Sequence, residues 1–89
     1  MTNAGGWTDF DFNVSETAQA VFKEALTGLV GVSYSPLAVA TQIVSGTNFC
    51  FLCKAQPVYP GAQGFVAQVY IYKPLQGAAH LTQIVHLRP

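Results

Sequence analysis

Charge is what this chain has least of. Four Lys/Arg and four Asp/Glu among 89 residues leave a formal net charge of zero. Lys23, Lys54, Lys73 and Arg88 stand singly along the sequence. A nucleic-acid backbone is gripped by clustered basic residues, so no nucleic-acid partner is expected. Long apolar runs are missing too. Nothing approaches the ~20 residues of a membrane-spanning helix, and no membrane partner is expected. Cysteine is limited to Cys50 and Cys53, too few for a disulfide framework. The stretch Met-Thr-Asn-Ala-Gly-Gly has neither the basic nor the apolar region of a signal peptide. Together these two features favour the cytoplasm as compartment. There is no glycine-rich phosphate loop and no nucleophile elbow.

What the chain does have is apolar material. Hydrophobic residues make up 51% of it, a generous supply for one small domain spanning 1–89. A domain of this size buries only roughly 60% of its unfolded surface, so a marginal core has to be well packed. So much apolar surface also exceeds what one core can hide. With no net charge to keep copies apart, a homodimer is a possible state.

Periodicity divides the chain cleanly. Residues 1–6 are small and polar and read as a flexible arm. Trp7 to Phe12 alternates loosely, as either a short strand or an extended approach. Asn13 and Glu16 have the spacing of a capping box. Val14, Ala18, Val21, Phe22, Ala25, Leu26 and Leu29 then recur every three or four residues, which predicts a helix over about 14–28. Gly28 and Gly31 bracket its end. Strict alternation follows over 34–43, 47–55, 64–73 and 80–87, separated by turn-forming clusters at Ser45-Gly46, Pro57–Gly64 and Pro74–Ala79. One helix followed by consecutive strands leaves no crossover helices for parallel pairing. The expected fold is α+β, a single α-helix packed on a four- to five-stranded antiparallel sheet.

Candidates for chemistry are few. Cys50 and Cys53 form a CxxC, but on a strand their sulfurs project to opposite faces, and no helix follows to activate them. Packing thiols are the expectation. His80 and His86 fall on one face, about 20 Å apart at ~3.3 Å per residue, too far to share a metal. Asp9 and Asp11 read as a solvated edge. Neither a metal nor a cofactor is expected, and the chain is read as a binder and not as an enzyme.

Loop order is more informative. In an antiparallel meander the Val44–Gly46 turn and the Pro74–Ala79 turn lie at one end of the sheet, and the helix start with its preceding arm points back to them. The first turn reads Gln42-Ile43-Val44-Ser45-Gly46, continuing Thr47-Asn48-Phe49. This run resembles the Gln-x-Val-x-Gly signature of the cystatin superfamily and its stefin-like continuation. The glycine pair Gly5-Gly6 stands before the helix, where that family has a functional glycine. Pro74-Leu75, after Val69-Tyr70-Ile71-Tyr72, matches the position of the second family loop. The resemblance in element order covers nearly the whole chain.

The resemblance implies a wedge that plugs the active-site cleft of a papain-like cysteine protease. Gly5 and Gly6 would bend the arm into the cleft. Gln42, Ile43, Val44, Ser45 and Gly46 would form the first inhibitory loop, and Pro74 and Leu75 the second. It also implies that the Val44–Gly46 turn is a hinge for domain swapping, which would give a swapped homodimer and remove the first loop from action. The alternative is a non-inhibitory cystatin-like interaction or self-associating module. It would use an apolar sheet face of Leu52, Val66, Tyr70, Tyr72 and Ile84 opposite the helix.

Overall fold

A computed structural model describes residues 5–89 of the chain. One helix, α1 (Glu16–Leu26), is followed by four strands: β1 (Val32–Val44), β2 (Gly46–Pro57), β3 (Phe65–Lys73) and β4 (His80–Leu87). All neighbours are antiparallel and the sheet order is β1-β2-β3-β4. Residues 5–11 lie extended along the free edge of β1, joined to it by the bridges Trp7↔Gln42 and Asp11↔Val39. The expected α+β layout is therefore present. The first four residues of the arm fall outside the described residues, and its fifth, Gly5, donates its N–H to the Ile43 carbonyl at 3.0 Å.

The helix begins later than its sequence spacing indicates. Ser15, not Asn13, is the N-cap, its hydroxyl accepting from the Ala18 N–H at 3.2 Å. Asp11 explains the difference: its carboxylate accepts the Asn13 N–H at 2.8 Å, tying Asn13 into the preceding turn. At the other end Thr27 caps after Leu26. Leu29, expected on the helical stripe, lies beyond the helix and is exposed.

The helix lays Ala18, Val21 and Phe22 on the sheet against Val39, Phe51, Cys53, Val69 and Ile71. Phe51 is at the centre. It is fully buried, meets Phe22 edge-on at 4.9 Å and stacks with Phe49 at 5.9 Å. Such aromatic pairs add to the burial of their area. Because strand side chains alternate, Cys53 joins this core while Cys50 faces the other side, as the spacing requires.

Two bulges redirect side chains. Between Pro36 and Ala38 the β1–β2 register shifts by one residue, Leu37, which is left exposed. Pro36 has no N–H to give a ladder, and a bulge is where a strand tolerates that. A second shift opposite Tyr70/Ile71 leaves Thr82 of β4 without a partner. It corrects two expectations. Ile84 pairs with Val69 and packs on the core, not on the outer face. His80 and His86 do not share a face, since His80 pairs with Tyr72 and His86 with Ala67 across the bulge.

Truncating the central ring tests this core. Phe51→Ala is expected to cost about 3–5 kcal/mol, a large part of the stability of so small a domain. Exposed Leu75→Ala is expected to stay within about 0.5 kcal/mol. Urea denaturation of the two variants provides the check.

Candidate functional site

The end of the sheet where β1 turns into β2 and β3 leaves for β4 gathers three segments. The hairpin is tight: Val44 pairs with Gly46 across Ser45 alone. Gly46 has φ +100° and is buried. A Cβ there would stand 2.6 Å from the Lys73 carbonyl oxygen and 3.0 Å from the Pro74 Cα. The absence of a side chain thus lets the first hairpin nest against the backbone that opens the second loop. Tyr72 fixes the same junction from below, its hydroxyl donating to the Ser45 carbonyl.

The second loop is held from two sides. Lys73 Nζ donates to the Gly77 carbonyl at 2.6 Å and to the Pro74 carbonyl at 3.3 Å. A carboxylate oxygen of Glu24, on the helix, accepts the N–H of Ala79 at 2.8 Å. The loop is a stapled arch and Leu75 stands at its crest, 79% exposed.

The third segment is the arm. Gly5 donates to Ile43 and its carbonyl accepts from Gln42 Nε2 at 2.7 Å. Thr8 donates its N–H to the Thr41 carbonyl, and its hydroxyl accepts the Thr41 N–H, both at 2.9 Å. Gly6 is half-buried between these anchors.

The nine residues singled out in the sequence therefore come together, but they do not all present themselves alike. Ile43 at 59%, Val44 at 43% and Leu75 are exposed apolar side chains. Ser45 is exposed, Pro74 half-buried and Gly46 buried. Gln42 is half-buried with its amide engaged at both ends, since Asn48 Nδ2 donates to Gln42 Oε1 at 2.9 Å. Sequence reading missed the residues that hold the site: Asn48, Tyr72, Lys73 and Glu24. It also missed His80, whose ring meets Tyr72 edge-on at 5.6 Å. Trp7 carried a signal, being the sole tryptophan directly after the glycine pair.

Among the described residues no three His, Cys, Asp or Glu side chains are placed to hold a metal ion. Both thiols are free and buried. Burial pushes the Cys53 thiol from its ordinary 9.0 up to about 12, with the neighbouring Cys50 adding to it. Cys50 is also raised, by burial, against a smaller opposite pull from the neighbouring Tyr70. A cleft of ≈ 470 Å³ containing Phe65, His86 and Arg88 lies at the far end of the sheet from the three segments. Comparison with protein-family models, with curated proteins and with solved structures finds no match to this chain.

Three outcomes follow from this geometry. Gly46→Ala is expected to destabilise by about 1–3 kcal/mol through its positive φ, and to part the two loops. Denaturation together with chemical shifts at Lys73 and Leu75 reads both effects. The thiols should resist iodoacetamide at pH 8 in the folded protein and react once urea unfolds it. Cys53 also sets a pH window. Below pH 9 both states keep it protonated. Between 9 and about 12 only the unfolded chain ionises, so stability should fall as pH rises through that interval.

Proposed function

We propose that this chain is a cystatin-like, reversible inhibitor of papain-like cysteine proteases, acting as a wedge of the arm and two loops. The observation that carries the reading is the convergence just described. Gly5-Gly6, the Val44–Gly46 hairpin and Pro74-Leu75 form one end of the sheet, and exposed Ile43, Val44 and Leu75 provide its apolar surface. The resemblance of Gln42–Gly46 to the family signature supplies the protease class.

The physics suits a plug for a cleft. A hairpin and a stapled arch have little conformational freedom left to lose on binding. Apolar side chains at the tips contribute burial, while the glycine backbone allows close approach. Such a binder works without donating a proton, a nucleophile or a metal.

Titrating papain, assayed with a fluorogenic peptide, is expected to show reversible competitive inhibition. Val44→Asp and Leu75→Asp should each weaken it by about thirtyfold or more, as for apolar anchors at a buried interface. No inhibition at micromolar concentration contradicts the reading.

A second reading is a self-associating or protein-binding module. Its support is the sheet face opposite the helix, where Leu52, Val66, Tyr70 and Tyr72 share a side with a single charge, Lys54. Light scattering separates the two readings. A strict monomer that inhibits papain leaves this face as ordinary strand surface. A dimer dispersed by Val66→Lys favours the second reading.

A further inference from the structure

Within the hairpin run, Gln42 is chemically the odd member. Its side-chain amide is not offered to a partner. Nε2 donates to the Gly5 carbonyl at 2.7 Å and Oε1 accepts from Asn48 Nδ2 at 2.9 Å. Asn48 lies directly opposite Gln42 in the β1–β2 register, so the pair shares one face of the sheet. Trp7, bridged to Gln42, shares that face as well. Its ring stands edge-on to Tyr70 of β3 at a centroid distance of 5.9 Å. Together with Phe10 it borders a cleft floored by Ala40, Cys50 and Gln68. Small Ala40 makes room for these rings, and Ala38, Ala40 and Cys50 are buried although they face away from the helix.

We propose that Gln42 is a positioning residue, which docks the N-terminal segment onto the first hairpin through the relay Asn48–Gln42–Gly5 while Trp7 clamps that segment across the outer sheet face. The relay is directional. Asn48 donates, which turns the Gln42 oxygen toward it and the Gln42 NH2 toward Gly5. A carbonyl accepts only from a donor, so the order cannot be reversed. The amide thus fixes where Gly5-Gly6 stands relative to Val44. The docking is a property of the fold. Only its consequence for inhibition rests on the protease reading.

The test replaces the donor and leaves the acceptor. Gln42→Glu still accepts from Asn48 but presents a carboxylate oxygen to the Gly5 carbonyl. Hydrogen exchange should accelerate about tenfold or more at the Gly5 and Thr8 amides, as expected for loss of a hydrogen bond plus an unpaired carbonyl. Exchange at Val69 and Ile71 should be unchanged. Trp7, as the sole tryptophan, should report the same event by red-shifted emission and easier acrylamide quenching. Asn48→Ala leaves the Gln42 amide in place without its tether, and about threefold faster exchange is expected. It provides the answer if the glutamate variant fails to fold. Wild-type exchange and emission in a folded variant overturn the proposal. Loosened arm amides with unchanged papain affinity uphold the docking and remove the arm from the inhibitory surface. Loosened amides with weaker inhibition uphold both.

Discussion

The approach of Gly46 to the Lys73–Pro74 backbone is the constraint on which this end of the sheet depends. It places the β1–β2 turn and the β3–β4 arch in contact, although nearly 30 residues of chain separate them. The sheet brings the two turns to the same end. Only a residue without Cβ lets them touch there. Everything around the contact reinforces it. Tyr72 reaches Ser45, Lys73 closes its own arch, and Glu24 ties the arch to the helix. That last bond links the tip to the core, since the helix bearing Glu24 is seated on Phe51 through Phe22.

Order of elements and positions of turns were legible in the sequence because both are local properties. Apolar spacing distinguishes the helix from the strands, and Gly and Pro mark the breaks. Antiparallel order then follows from having no crossovers. What was not legible depends on partners. The bulges at Leu37 and Thr82 exist only as mismatches between paired strands, and the one at Thr82 turned Ile84 inward and separated His80 from His86. Asn13 and Ser15 are equally good cap formers in isolation. The Asp11 carboxylate, two residues upstream, decides between them.

The site shows the same division. Residue type and loop order were enough to bring Gly5, Val44, Gly46 and Pro74-Leu75 to one end. They were not enough to distinguish surface from scaffold. Gln42 and Val44 look alike as members of one motif, yet Val44 faces solvent and Gln42 spends its amide on the backbone of the arm. Being the sole tryptophan sets Trp7 apart in the sequence, but its place on the outer sheet face becomes visible only with Tyr70 beneath it. The end of the sheet is thus a tip of exposed Ile43, Val44 and Leu75, held by polar and aromatic contacts behind it.

The most direct measurement is an NMR perturbation map of the isotopically labelled protein with inactivated papain. A wedge at this end of the sheet predicts changes confined to Gly5-Gly6, Ile43–Gly46 and Pro74-Leu75, with the distant turn at Tyr59–Gly61 silent. Changes centred on Leu52, Val66 and Tyr70, or none at all, would contradict it.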